Sequence, residues 1–384
     1  MPSAHPSRKM VRQYVATKKG GAFQVTSVPY PTPGPNELCI RNRAVALNHL
    51  DWKSLETGMM VKSWPAILGI DAAGVVEAVG DKVTAFKPGD AVMTIAGHSG
   101  PAGGFQEVTV VPSHFACRKP AAWTFVEAAS VPICYITATA AIIKGLGTPL
   151  AHLEESVKPG PGPGPETPLR SEFNLDGTVF TGSNANREEN STGKIQKPPN
   201  IESVLVLGGS SGVGTSAIQL LRMALPDAKI LSTNSPLHAG RLARLGATSC
   251  FDRDDPKIVA AIKEATPGGR GVDAIIDTVA AAQQRSELFD ALNPDGPKLY
   301  SHVLTGDEIK IPENVKSVDI YGRLAFEATG GGTDVMTKLV ELVDAKTFKL
   351  PLRVEVVGKD LESIGPGLEK LKAGVSGTKL VVSL

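Results

Sequence analysis

The stretch SVLVLGGSSGVGTSAIQLL, residues 203–221, runs an apolar, strand-like segment into Gly208, Gly209, Ser210, Ser211, Gly212, Val213 and Gly214 and then directly into a helical pattern. Glycines permit the sharp turn and let the backbone approach a pyrophosphate, while the N–H groups and dipole of the following helix favour negative charge. A glycine pattern alone says little. The strand before it and the helix after it supply the context of a dinucleotide-binding turn.

Outward from this turn the alternation continues. KILST (229–233) and VDAIIDTV (272–279) read as strands and HAGRLARLG (238–246) as a helix, the signature of a parallel, doubly wound sheet. Upstream, VEAASVPICYITATAAIIKGL (126–146) is expected as a largely buried helix that Pro132 either kinks or starts. The first third differs: short runs such as VRQYVA (11–16), ELCIRNRAVAL (37–47), AGVVEAVG (73–80), DAVMTI (90–95) and FQEVTVV (105–111) alternate with turn clusters, suggesting a barrel-like or folded β-sheet. Residues 157–200, rich in Pro, Gly, Ser and Asn, are expected to form a long surface loop, an insertion of the kind that costs little.

The end of the second strand indicates which cofactor is expected. A preference for NAD calls for an acidic residue about 20 positions after the glycine turn to hold the ribose 2′-hydroxyl. Here LSTNSPLHAGRLAR (231–244) offers Ser232, Thr233, Asn234, His238, Arg241 and Arg244, with no carboxylate before Asp252. Small polar groups followed by cations favour a 2′-phosphate, so NADP(H) is the expected cofactor.

Composition narrows the class. In 384 residues, 42% are hydrophobic and 21% charged, with a net charge of +1, so neither nucleic acid nor a membrane surface is expected as a partner. No run approaches the roughly 18 consecutive apolar residues of a membrane span, and the first residues lack the apolar core of a secretory signal. A cytoplasmic location is the expectation. Cys39, Cys117, Cys134 and Cys250 lie far apart without a C-x-x-C pair, which argues against a structural zinc lobe and fits isolated thiols in a reducing compartment.

Six phrases, in this order, carry a resemblance: PGPNELCIRNRAVALNHLDWK (33–53), PAILGIDAAGVVEAVGDKVTAFKPGDAVM (65–93), GGFQEVTV (103–110), EAASVPICYITATAAI (127–142), VLVLGGSSGVGTSAIQL (204–220) and SGTKLVV (376–382). They resemble the medium-chain dehydrogenase/reductase superfamily over nearly the whole chain. More narrowly, the chain is similar to the zinc-free branch of enoyl reductases and quinone oxidoreductases, especially its fungal trans-enoyl reductase-like members. The resemblance implies an α/β fold: a GroES-like β-rich catalytic domain (1–134 and 329–384) and a Rossmann doubly wound parallel-sheet domain (135–328) that carries the insertion.

It also implies site residues. Zinc-dependent alcohol dehydrogenases of the superfamily place a ligating cysteine at the position of Asn48, a His-Glu pair at Ile70 and Asp71, and a third ligand near Ile133 and Cys134. Zinc prefers thiolate and imidazole in a tetrahedral set, which Asn48, Ile70 and one nearby thiol cannot make, so no metal is expected. Asn48 resembles the family residue near nicotinamide and substrate, Thr137 a threonine beside the nicotinamide, and Thr278 a residue along the cofactor. Asp51 is expected to brace its loop through backbone N–H groups. Many relatives carry a tyrosine in a G-x-Y setting where this chain has Gly58, Met59 and Met60, leaving Tyr135 or water as the candidate proton donor.

Without a Lewis acid, a conjugated carbonyl is the expected acceptor, because hydride at its β-carbon places charge on an oxygen that hydrogen-bond donors can stabilise. The expected activity is metal-independent NADPH reduction of an enone or enoyl thioester, small or carrier-bound. The rivals are an NADPH quinone reductase and a cofactor-binding accessory protein without turnover. In a homodimer, the strand near 319–326 would pair across the two-fold axis.

Overall fold

The computed structural model describes residues 10–97, 100–154, 199–303, 309–321 and 334–384. The expected insertion, apart from residues 199 and 200, lies outside the described residues, as does 322–326 of the proposed dimer strand. The strands in chain order are β1 (Met10–Ala16), β2 (Phe23–Pro29), β3 (Glu37–Ala46), β4 (Ala66–Ile67), β5 (Asp71–Val79), β6 (Ala91–Ile95), β7 (Val108–Pro112), β8 (Ala116–Arg118), β9 (Ser203–Leu207), β10 (Lys229–Asn234), β11 (Ser249–Asp252), β12 (Ala274–Asp277), β13 (Leu299–Val303), β14 (Lys316–Ile320), β15 (Arg353–Gly358) and β16 (Thr378–Ser383). Two compact units emerge, one of residues 10–133 with 336–384, the other of 134–154 with 199–335.

The first unit is β-rich. Its larger sheet runs β15-β16-β3-β5-β6-β8, with β7 also on β3, and a smaller sheet runs β2-β1-β4. β3 is the keystone: it pairs antiparallel with β5, β7 and β16, and its two apolar runs, Leu38–Ile40 and Ala44–Ala46, are buried on either side of Arg41, Asn42 and Arg43. Val45, Leu47, Leu68, Phe105, Leu380 and Val382 join Leu361, Ile364 and Leu368 of the helical segment before β16 in one core. The chain thus returns from residue 336 onward to complete the sheet begun by its N-terminal strands.

The second unit holds a six-stranded parallel sheet ordered β11-β10-β9-β12-β13-β14. With β9 counted as first, this is the 3-2-1-4-5-6 order of a Rossmann sheet. The fully buried β9 (SVLVL) lies at the centre, as its five successive buried residues demand. Helix Gly212–Ala224 follows it, and Leu205, Leu207, Leu231, Ile275 and Tyr300 share one core. β11 and β13 were not read from sequence, and β14 lies at Lys316–Ile320, overlapping the strand expected near 319–326 only at Asp319 and Ile320.

Pro132 starts rather than kinks its helix: a short helix ends at Ala129, and a new one runs Pro132–Ala140 and closes in a π-turn at Ala141–Gly145. By length and composition, the segment Phe125–Gly145 is apolar enough to cross a membrane, but most of it is buried within the protein.

Gly74, inside β5, faces the irregularity in β3 between Asn42 and Ala44, where a Cβ would stand 2.1 Å from the Arg41 carbonyl oxygen. Gly74→Ala must therefore push two central strands apart. A loss of about 1–3 kcal/mol is expected in urea unfolding, and an unchanged midpoint would refute this packing account.

Candidate active site

Register builds the polar centre of the first unit. Val381 on β16 faces Ala46 on β3, which in turn faces Asp71 on β5. Two residues further along each antiparallel strand, Lys379 comes beside Asn48. The Asn48 amide nitrogen donates to Asp71 Oδ2 at 3.0 Å, and the Lys379 ammonium donates to Asn48 Oδ1 and stands 3.5 Å from Asp71 Oδ2. Asp71 Oδ1 accepts the Ile133 backbone N–H at 2.8 Å. Burial raises the Asp71 carboxyl, and Lys379, Asn48 and the Ile133 N–H oppose that rise.

Asn48 also caps the helix His49–Thr57, a helix the sequence reading missed. Asp51 Oδ2 accepts the Asn48 backbone N–H at 2.8 Å, so Asp51 braces the turn through the backbone, in the manner of a capping box. Fully buried, the Asp51 carboxyl is raised from 3.8 to about 7, chiefly by desolvation, with the Asp71 charge adding to it and the Asn48 N–H and Lys379 working against it. His49 Nδ1 accepts the Trp52 indole N–H at 3.1 Å; desolvation and the charges of Lys379 and Lys53 lower its pKa and favour the neutral ring. Gly58 ends the helix in a left-handed conformation (φ 78°), and Met60 also has positive φ (62°), where the sequence comparison looked for a tyrosine.

Among the described residues, no three His, Cys, Asp or Glu side chains come together as a metal site. The donor set itself is what matters. Asn48, Asp71 and an ammonium ion offer zinc neither thiolate nor imidazole, and the cation already has its place.

In the second unit, Gly208 (φ +75°) turns the chain out of β9. The Gly209 N–H donates to the Thr233 carbonyl at 3.0 Å, and a Cβ on Gly209 would lie 1.9 Å from Ser232 Oγ. At Gly214 a Cβ would lie 2.3 Å from the Gly208 carbonyl oxygen. Only bare backbone fits this close turn. Ser211 caps the helix, its Oγ accepting the Gly214 N–H at 2.9 Å and meeting Thr278 Oγ1 at 2.9 Å. The first intrahelical bond runs from the Thr215 N–H to the Ser211 carbonyl, so the Gly212 and Val213 N–H groups precede the helical ladder and suit a pyrophosphate oxygen. Ser210 is half-buried at the same turn.

At the end of β10, Ser232, Thr233 and Asn234 are buried; Ser232 Oγ donates to Asn234 Oδ1 at 3.0 Å, and Thr233 Oγ1 accepts the Gly208 N–H at 3.2 Å. These three side chains are thus bonded into the turn. Burial lowers the pKa of His238, and so do the charges of Arg241 and Arg253, three basic side chains gathered beyond the strand. Arg253 is a member of this group that the sequence reading did not name. Asp252 lies opposite Asn234 in the parallel register, a neighbour that strand spacing alone does not reveal, and its Oδ1 accepts the Asp254 N–H.

Thr137 is buried in helix Pro132–Ala140. Tyr135 on the same helix is fully buried, its hydroxyl 3.2 Å from His152 Nε2. Asp277 accepts the N–H groups of Val279, Ala281 and Ala282 and the Tyr300 hydroxyl, four bonds that make it a structural cap. Lys379 belongs to SGTKLVV (376–382), where the returning strand is expected to bring its side chain toward the cleft. Its place beside Asn48 depends on pairing residues more than 300 apart.

Comparison with known proteins agrees with this architecture. The family model described as Alcohol dehydrogenase GroES-like domain matches residues 34–121, and that described as Zinc-binding dehydrogenase matches residues 212–344. Dehydrogenase orsE of Emericella nidulans is 30% identical, the match covering 96% of this chain and 97% of that protein. The chain belongs to the medium-chain dehydrogenase/reductase superfamily. Within this superfamily it is also 30% identical to trans-enoyl reductase FMN2 of Fusarium mangiferae, covering 97% of this chain and 99% of the relative. A crystal structure of an NAD-dependent alcohol dehydrogenase shares the fold, with a TM-score of 0.71 at 23% identity, covering 97% of this chain and 99% of the other. This medium-chain dehydrogenase/reductase is accordingly a nicotinamide-dependent oxidoreductase of the enoyl reductase and quinone oxidoreductase-like branch.

Two outcomes follow from the geometry. Gly209→Ala must displace Ser232, and nicotinamide cofactor affinity should fall at least about tenfold by fluorescence titration, with unchanged affinity counting against this turn as the phosphate site. For Asp51, the folded-state carboxyl lies above its unfolded value, so its contribution to stability is full below about pH 4 and is lost as the pH rises to about 7. His49, lowered in the fold, acts in the opposite sense, so the difference between the parent and Asp51→Asn isolates the carboxyl. That difference, from urea unfolding, should change through this window and level off above it; a flat difference would show that Asp51 titrates normally.

Proposed function

We propose that this protein is an NADPH-dependent reductase of an activated carbon–carbon double bond, in an enone or an enoyl thioester, working without a metal. One observation carries the reading: Asn48, Ile70 and Asp71 occupy the positions that the resemblance gives to the cysteine and the His-Glu pair of zinc-dependent relatives, and the Asn48 amide is bonded to Asp71 and to the Lys379 ammonium, so an acceptor that carries its own activation suits the site. A 30%-identical relative named as a trans-enoyl reductase supports the same class.

A reduced nicotinamide supplies the hydride when bound. Asn48 is assigned the contact with nicotinamide and substrate, Thr137 and Thr278 contacts along the cofactor, and residues 209–214 the pyrophosphate. Ser232, Thr233 and Asn234 shape the end of β10, and His238 with Arg241 holds the 2′-phosphate. The charges of Arg241 and Arg253 beside the His238 ring support NADP(H), since an anionic phosphate gains from cations that a bare hydroxyl does not need. Tyr135, the candidate acid, has its hydroxyl against His152 and no solvent exposure, which favours water as the source of the α-carbon proton. The substrate is small or carrier-bound, and the setting is cytoplasmic.

The test follows NADPH oxidation with an enoyl thioester, a small enone and a benzoquinone in parallel. Turnover of the first two is expected. Turnover of the quinone alone would replace this reading with quinone reduction, and tight NADPH binding without turnover would leave a binding protein. Arg241→Ala should raise the KM for NADPH about tenfold with little change for NADH; equal effects on both would argue against a 2′-phosphate contact.

A further inference from the structure

A lysine that is 6% exposed, between an asparagine and a fully buried aspartate, is costly to place and needs a reason. Its geometry suggests one. A carboxamide can occupy a site in two orientations related by rotation about its last bond, and shape barely distinguishes them. Charge does so here. Asn48 Oδ1 meets the Lys379 ammonium and Asn48 Nδ2 meets Asp71 Oδ2, so the rotated amide would present hydrogens to a cation and oxygen to a carboxylate. Among the described residues, the further acceptor for Nδ2 is the Ala46 carbonyl at 3.5 Å.

We propose that Lys379 is a positioning residue for the reduction: with Asp71 it locks the Asn48 amide in one orientation, keeping the amide hydrogen not used by Asp71 on a fixed heading. This rests on the enoyl reductase reading, in which Asn48 touches substrate. Asp71 at the start of β5 and Asp51 and His49 of the helix His49–Thr57 interact electrostatically with Lys379, and Lys53 of the same helix acts on His49. β3 and β16 hold the backbone on either side, the Leu47 N–H donating to the Leu380 carbonyl at 2.9 Å, so the lysine stem starts from a fixed base.

The test uses Lys379→Met, Lys379→Arg and the double variant Lys379→Met with Asp71→Asn. In the double variant neither buried charge is left alone, so thermal stability should return toward that of the parent even if Lys379→Met folds poorly. Its kcat for the enoyl thioester should nonetheless stay about 100-fold low, with NADPH affinity within about twofold of the parent, because the orienting charges are gone. Lys379→Arg, which keeps the cation, should restore part of the rate. Recovery of the parent kcat in the double variant would mean that Lys379 only neutralises Asp71, and would overturn the proposal. A second readout does not depend on turnover. The Asn48 side-chain NH2 signals, assigned by their loss in Asn48→Ser, should be one sharp pair in the parent and doubled or broadened in the double variant; one sharp, unshifted pair there would also overturn it. If the parent reduces none of the three acceptors, the enoyl reading fails, and the amide signals still decide whether Lys379 orients Asn48.

Discussion

A carboxylate with no access to water has to be answered by donors, and Asp71 is answered from three separate parts of the chain: the Asn48 amide, the Ile133 backbone N–H and the Lys379 ammonium. Each comes from an element that must be in place first. Asn48 requires β3 to end and a helix to begin, Ile133 requires the helix started by Pro132, and Lys379 requires the last strand to return to β3. Removing any one leaves charge or polarity buried without compensation, which costs more than the bond itself is worth. The polar centre is thus bound up with closure of the β-rich unit.

The glycine turn of the second unit depends on the opposite condition, the absence of side chains. Strand β9, the Gly208 turn and β10 approach so closely that Ser232 and Val279 already fill the space where Cβ atoms would sit on Gly209 and Gly208. Backbone donors at the start of the next helix can therefore come forward to meet an anion. Beyond β10, where the sheet no longer confines the chain, charge replaces shape: the charges of Arg241 and Arg253 both reach His238.

Much of this was legible locally. Five consecutive buried residues in SVLVL, followed by glycines and a helical period, mark the centre of a parallel sheet, and the structure places β9 there. The helix His49–Thr57 was missed because its residues are weakly amphipathic and only Asp51 and Ser54 are buried, so no apolar stripe announced it. Its cap was nonetheless written in the sequence as Asn48 followed three residues later by Asp51. β11 escaped for a related reason: at the edge of the sheet it is only half-buried and alternates weakly.

Sequence by itself determined the Rossmann order of alternating elements, the glycine turn and the unsuitability of Asn48 and Ile70 as a zinc set, because each follows from neighbouring residues and the chemistry of their side chains. Tertiary structure alone decided that Lys379 meets Asn48, that Asp252 stands opposite Asn234, that Tyr135 turns its hydroxyl to His152 and that Arg253 joins the charges beyond β10. For Tyr135 and Arg253 the physical reason is packing between separate segments, and for Lys379 and Asp252 it is strand pairing. Register between segments hundreds of residues apart is fixed only when both strands bury their apolar faces together, and no local pattern in either one encodes which polar side chains will then meet.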